Sequence, residues 1–531
     1  MSEVATPGKV APAAGFQQRL GLFDATMLVA GSMIGSGIFI VSAEIARDVG
    51  GGGWLLAIWA VTGAITVMGA LSYAELAAMM PHAGGQYVYL REAYNPLFGF
   101  LYGWTLFLVI QTGTIAAVRV AFPKFAGVFA PGLGTDPKAG AWVVLQAGPL
   151  TVTGGQVLAV AVIVLLTGVN LLGVQEGKWV QNLFTVAKTL ALALLILLGL
   201  TVAANLSVLA DNFRAPWSPM FHTAEFAKTF RLVPAAGLAA LMVAGGAMVG
   251  SLFSSDAWNN VTFAAAEVRN PRRTLALSLA LGTGMVTLLY LLANVAYLAD
   301  LPIQGDEHRA AELKAAAETA RTPEERAELD RRYREATAEL GIAHARDDRV
   351  GTAVMDLVFP NVGTRLMALA IMLSTFGCAN GLILSGARLY YAMARDDLFF
   401  RSVGRLSARG VPAAGLLLQG VWASLLVFTG SYSQLLNYVI FAALLFYVLT
   451  AGGLFLLRRS RPEVERPYRV VGYPVVPGLY MGLCAAIMLD LLVVAREQTW
   501  PGLLIVLTGI PVYFLWRWRA ARPKPVAPGG Q

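Results

Sequence analysis

Apolar residues do not alternate with polar ones along this chain; they run together. Stretches of roughly 20 apolar residues, the length that crosses a bilayer as a helix, recur from end to end, as in LALALLILLGLTVAAN at 190–205. A membrane barrel would read instead as short alternating strands, and only helices and closed barrels satisfy their backbone in lipid. The pattern predicts an all-α membrane protein of twelve transmembrane helices, near 22–46, 54–79, 96–125, 153–173, 179–204, 236–266, 275–299, 362–390, 412–430, 433–457, 475–496 and 499–517.

Charge sits between those runs. Arg269, Arg272 and Arg273 follow span six. Arg388, Arg395, Arg401, Arg405 and Arg409 follow span eight; Arg458, Arg459, Arg461, Arg466 and Arg469 follow span ten; Arg517, Arg519, Arg522 and Lys524 follow span twelve. Basic residues gather in cytoplasmic loops, so these loops share one side and both termini are expected in the cytoplasm. Residues 303–349, between spans seven and eight on the other side, are rich in Ala, Glu and Arg. Thr322-Pro323-Glu324-Glu325 reads as a capping box with proline at the first helical position. Leu329, Tyr333, Ala336 and Leu340 form one apolar stripe, and Gly341 is a stop signal. A charged helical hairpin outside the membrane follows, read as a solvated appendage in preference to a docking or gating element.

Composition agrees with the pattern. The chain is 57% hydrophobic and 14% charged, where a soluble domain carries about a quarter charged residues. The net charge of +8 does not point to nucleic acid, because its Arg and Lys lie in short loops between apolar runs. Cys378 and Cys484 both fall inside spans, and His82, His222, His308 and His344 all fall outside them. No disulfide framework, metal set or paired acid and base is on offer, so neither a cofactor nor enzyme chemistry is expected. The short polar N-terminus carries no signal-peptide cleavage pattern.

Two spans are interrupted by small residues: span one by GSMIGSGIF at 31–39, span six by GGAMVGSLFSSDAWNN at 245–260. Either glycine group alone would read as close helix packing. Two in register, the second followed by Ser254, Ser255 and Asp256, point to unwound helices lining a binding site, as in transporters built from two inverted five-helix repeats. The N-terminus of the outer half of span one, near Gly37 and Ile38, suits a carboxylate through its free N–H groups and positive dipole end. Ser36 adds a hydroxyl donor, and Gly35 and Ser254 complete the candidate binding residues. Carbonyls freed near Ile34 and Phe253 suit an ammonium. A site with both ends selects an α-amino acid.

At these residues the sequence resembles the amino acid–polyamine–organocation superfamily, and within it bacterial homologues of the L-type amino acid transporter branch. The resemblance runs through GSGIF in span one, YAELAAMMPHAGGQYVYL at 73–90, VQNLFTVAKTLALALLILLG at 180–199 and FSSDAWNNVTFAAAEVRNP at 253–271. It continues in STFGCANGLILSGARLYY at 374–391 and LRRSRPEVERPYRV at 457–470. It implies a LeuT-type fold with a 5+5 inverted repeat broken in helices 1 and 6, and alternating access. It makes Phe253 the aromatic gate over the site and gives Asn259 either a bond across the site or the capping of freed backbone. Asp256 stands where the branch often has glycine, and is read as the cap of the inner half of span six. Residues 303–349 have no counterpart in the branch, and Arg119 in span three is expected to snorkel. Residues 126–152 contain no cysteine, so no disulfide-linked heavy chain is expected as a partner.

Lys188 lies about a dozen residues into the apolar span five, too deep to snorkel freely. In the superfamily a lysine here takes the place of a sodium ion, bonding span-one carbonyls and span-eight hydroxyls such as Ser374. It either loses its proton in the cycle, coupling transport to protons, or stays charged as a structural tie in an exchanger. Glu44 is read as lining an outer vestibule and Asp490 as packing or facing lipid. The expected organisation is a tail (1–20), two five-helix repeats (21–205 and 206–457, the second with the insert 303–349), two further helices (458–519) and a tail (520–531). The expected function is sodium-independent transport of small neutral amino acids across a bacterial inner membrane, as proton symporter or exchanger. A carrier of cationic amino acids or polyamines would need pocket acids, for which Asp256 is the candidate; a non-transporting amino acid sensor is the remaining alternative.

Overall fold

The structure, a computed structural model, describes residues 16–521 apart from 138–139, 148–149, 219–235, 321, 361, 430–431 and 495. The side chain of Arg119 also lies outside the described set. Ten apolar helices among the described residues are long enough to cross a membrane, where the apolar runs predict twelve spans. The two shortfalls fall at spans six and nine, at Ala240–Ser254 and Ala413–Leu426. The second is a helix of 14 residues; at 1.5 Å per residue it covers only about 21 Å of a core about 30 Å thick. The first belongs to the helix Ala236–Ser254, 19 residues long, which gives way at Ser255.

Span one is interrupted as its glycines predict. Leu22–Met33 ends at Ile34, whose backbone is extended, and helix resumes over Gly37–Val49 with Ser36 at the N-cap. In span six, Ala236–Ser254 gives way to an irregular stretch through Asn259, then to Asn260–Phe263 and a 3-10 turn at Ala265–Glu267. Span three carries a π-helical turn, Leu106–Ile110, between Pro96–Thr105 and Gln111–Ala126; such turns leave backbone groups out of register. Spans three, five and one pack against the long span eight, Gly363–Arg395, and span seven, Pro271–Asp300, lies along span two, Gly52–Met79.

A two-stranded antiparallel ribbon, Val143–Ala147 with Leu150–Thr153, joins spans three and four, a departure from the all-helical expectation. Its Val143, Val144 and Leu145 are exposed. The insert folds as expected into a charged hairpin of Glu307–Thr319 and Pro323–Glu335, followed by the short turn of helix Thr337–Leu340. Thr322 and Glu325 form the capping box, at 3.2 and 3.0 Å. Leu313, Leu329, Ala336 and Leu340 make a small core of their own, with Tyr333 packed on it. Gly305 and Gly341, both at positive φ, turn the chain in and out of the hairpin. At its neck the Ile342 and Ala343 amides donate to the carbonyls of Pro302 and Ile303, at 2.8 and 2.9 Å.

Arg388 is not the loop arginine its place in the charge pattern predicts. It lies inside span eight, 1% exposed, and pairs with the fully buried Glu267 at 3.1 Å. Glu75 at the end of span two is likewise buried and takes Arg458 at 2.5 Å, Arg466 at 3.4 Å and the Val470 amide at 2.8 Å. Residues 19–20, counted in the N-terminal tail, pair with residues 267–269: both amides donate to the Glu267 carbonyl at 2.9 Å and Arg269 donates back to Leu20 at 2.8 Å.

Candidate functional site

The two breaks face each other. A methyl group added at Gly37 would run into the Ser254 side chain, and one at Gly250 into Val41. One at Gly31 would run into Gln181 and Thr185 of span five. The glycines thus allow close approach of helices and, in the same place, unwinding.

Unwinding frees five consecutive carbonyls in span one, and each receives a side-chain donor from another span. Gly31 accepts from Lys188 Nζ at 2.5 Å and Ser32 from Cys378 Sγ at 3.0 Å. Met33 accepts from the Tyr290 hydroxyl at 3.2 Å. Ile34 accepts from Lys188 Nζ at 2.6 Å and Ser374 Oγ at 3.1 Å, and Gly35 from Ser374 Oγ at 2.9 Å. Lys188, 1% exposed, therefore ties spans one and five inside the bundle. Its contact with Ser374 is to the carbonyl, at 3.4 Å, and not to the hydroxyl that the sequence points to; that hydroxyl is spent on span one. The Ile34 carbonyl, expected to meet a substrate ammonium, already takes the Lys188 ammonium and shares the single Ser374 proton with Gly35.

The donor side of the same break is open. Ser36 is 1% exposed and its hydroxyl has no partner among the described residues. It stands at the N-cap of Gly37–Val49 without capping that helix, where the first helical N–H groups lack intrahelical acceptors.

Span six is arranged differently. Ser254 turns its hydroxyl back to the Gly250 carbonyl at 2.8 Å, so that hydroxyl already donates within its own helix. The Ser254 carbonyl accepts from Tyr290 at 3.1 Å, so one phenol bridges both breaks. Asp256 does not cap the inner half-helix as expected. It accepts from the Tyr447 hydroxyl of span ten, and Asn259 occupies the N-cap position with no side-chain cap bond. Asn259 bonds across the bundle instead, to Gln86 at 2.9 Å, and Gln86 continues to Thr450 at 2.9 Å. Ala257 between them has φ +64°, a left-handed conformation that favours glycine and costs other residues of order 1 kcal/mol or more. Phe253 lies at the last turn before the break, 9% exposed. Trp258 packs edge-on to Tyr73 at 4.8 Å and tilts against Tyr447 at 5.7 Å.

Two cavities adjoin this break, and Asp256 and Tyr447 line both. They measure about 10 and 20 Å³, room for about one water each. An amino acid enters only if the surrounding spans part. Tyr290 and Gln86 are absent from the sequence reading; the signal that could have found Tyr290 is a phenol in mid-span, which needs a partner when buried. Glu44 is exposed on the helix Gly37–Val49 of span one, and Asp490 lies against Gly245 of span six with its carboxylate buried.

Comparison with known proteins places the whole chain. A sequence profile described as amino acid permease matches residues 20–308 and 340–515, skipping most of the hairpin. The chain is 30% identical to the b(0,+)-type amino acid transporter 1 of Mus musculus over 96% of its own length and 91% of that protein's. The same transporter of Homo sapiens is likewise 30% identical, with the same coverage. The large neutral amino acids transporter small subunit 2 of Homo sapiens is 29% identical over 96% of this chain and 82% of its own. With most of its length matched by one family profile, the chain belongs to the amino acid permease family.

Proposed function

We propose that the protein is a sodium-independent carrier of neutral amino acids working by alternating access. The supporting observation is the filling of carbonyls 31–35 by fixed side chains, two of them by the Lys188 ammonium. A sodium ion in the same place would meet a second cation at short range in a medium of low effective dielectric, where like charges repel by several kcal/mol, about 4 at 4 Å and ε ≈ 20. Lysine and sodium exclude each other. The substrate carboxylate then goes to the N–H groups near Gly37 and Ile38 with the Ser36 hydroxyl. Its ammonium goes to the span-six break near Phe253, where it shares the Phe253 carbonyl with the Asp256 amide, which donates to it at 3.2 Å. Phe253 closes over it, and Asn259 and Asp256 bound the side-chain end.

In this reading the ten long and two short apolar helices make twelve spans in a LeuT-type 5+5 inverted repeat, 21–205 and 206–457, with helices 458–519 outside it. Both termini face the cytoplasm of a bacterial plasma membrane, and no heavy-chain partner is required. Uptake into proteoliposomes with sodium replaced by choline at fixed pH tests the assignment: unchanged uptake is expected, and an absolute sodium requirement overturns it. Stimulation by an inward proton gradient marks a titrating Lys188; indifference to the gradient with strong trans-stimulation marks an exchanger. A second reading, in which cationic side chains are also admitted, is favoured by Asp256 lining both cavities.

A further inference from the structure

Beneath the hairpin lies a cavity of about 160 Å³, several times larger than either space beside the breaks. Its walls come from separate parts of the chain: Tyr333 and Arg334 of the hairpin, Arg346 and Arg349 of the return segment, Thr352 and Asp356 of helix Val350–Val358, and Arg365 at the start of span eight. Four arginines thus face one space with two acids, Asp330 and Asp356.

The acids are already engaged. Asp330 takes Arg346 at 2.6 Å. Asp356 accepts the Thr364 amide at 2.6 Å and its hydroxyl at 2.6 and 2.8 Å. Burial also raises the Asp356 carboxyl above its ordinary range, against the pull of Thr364 and of Arg334 and Arg346. Donors remain in surplus. Arg334 acts on Asp356 only at a distance; among the described residues neither it nor Arg365 forms an ion pair within 4 Å, and the Arg349 Nε is buried without an acceptor although its fork holds Asp347. Thr352 is 6% exposed, lines the cavity, and its hydroxyl has no partner. A buried hydroxyl left unpaired costs about 1–3 kcal/mol, so its retention on this wall calls for an acceptor from outside the chain.

We propose that this cavity binds a small oxyanion, inorganic phosphate or a short carboxylate, through the free forks of Arg334 and Arg365, the Nε of Arg349 and the Thr352 hydroxyl. Guanidinium matches planar or tetrahedral oxyanions with paired N–H donors, which a spherical halide cannot use. Bound there, the anion links the hairpin to helix Val350–Val358, which packs on the outer half of span one.

The test uses the full chain in detergent, melted at constant ionic strength while chloride is replaced stepwise by phosphate or by succinate. A saturable rise in Tm of about 2 °C or more is expected from an anion that binds only the folded state. In Arg334→Gln/Arg365→Gln the half-saturating concentration rises at least tenfold, while amino acid binding stays within twofold. Both arginines are exposed, so the variant keeps its fold. Thr352→Val, which keeps the shape, weakens the response severalfold. Saturation by phosphate alone identifies an inorganic anion, and by succinate alone a carboxylate. Non-saturating curves, or curves identical in wild type and double variant, overturn the site.

Discussion

The two broken spans solve the same problem in opposite ways. Span one exposes a run of carbonyls, and spans five, seven and eight fill every one from 31 to 35. Span six is tied by fewer side chains, at Ser254, Asp256 and Asn259, and the two small cavities open beside it. A helix break offers donors and acceptors together, and a site becomes selective when one kind is used up beforehand. Span one keeps its donors and gives away its acceptors. The polarity of the substrate is set there, and the choice of side chain is left to span six.

The sharpest way to break this comparison is to untie span one. Lys188→Ala leaves the Gly31 carbonyl without a donor and removes one of two from Ile34. Hydrogen bonds from a charged donor are worth about 1.5–3 kcal/mol each and both short ones are lost, so uptake in proteoliposomes should fall by two orders of magnitude or more, with a lower Tm. Near-normal uptake would show that the lysine is not what holds the break.

Asp256→Asn asks whether span six sets the side chain. The amide oxygen can still accept from Tyr447, so neutral substrates should be carried within about threefold. Any uptake of lysine or arginine should drop about tenfold, the value of 1.4 kcal/mol. Equal losses for both substrate classes would make Asp256 a structural partner of Tyr447 and nothing more.

Tyr290→Phe removes the hydroxyl shared by Met33 and Ser254 without changing packing. A net cost of about 1 kcal/mol in stability and a several-fold loss of uptake are expected, read by thermal melting and initial rates. An unchanged rate would mean that the breaks move independently.

The smallest effect belongs to Ala257→Gly. Relief of the left-handed φ should outweigh the added freedom of the unfolded chain, leaving a gain of about 0.5 kcal/mol. A loss of stability would mean that the methyl group packs usefully against its surroundings.

Much of this could be read in the sequence, for local reasons. Glycine clusters announce unwinding, a lone lysine in an apolar run announces a buried tie, and Thr-Pro-Glu-Glu announces a helix start. Each is a property of a few adjacent residues. What stayed hidden depends on residues far apart in the chain. Glu267 meets Arg388 across 121 positions, and Asn259 meets Gln86 across 173. From sequence alone Arg388 looks like another arginine after a span, because nothing local says that the helix runs on past it. The occupied carbonyl of Ile34 and the inward-turned hydroxyl of Ser254 were hidden for a related reason. Residue type tells which bonds a group can make, not which it has already made.

The neck of the hairpin carries a consequence for how such chains change. Pro302 and Ile303 lie hydrogen-bonded to Ile342 and Ala343, so the chain leaves and re-enters the bundle at adjacent points. Whatever lies between them alters neither the path nor the spacing of spans seven and eight. The position is a natural port for cargo: a lineage could gain or lose a module there in one step, and a fluorescent reporter or a binding epitope could be seated on the same neck with the spans left undisturbed.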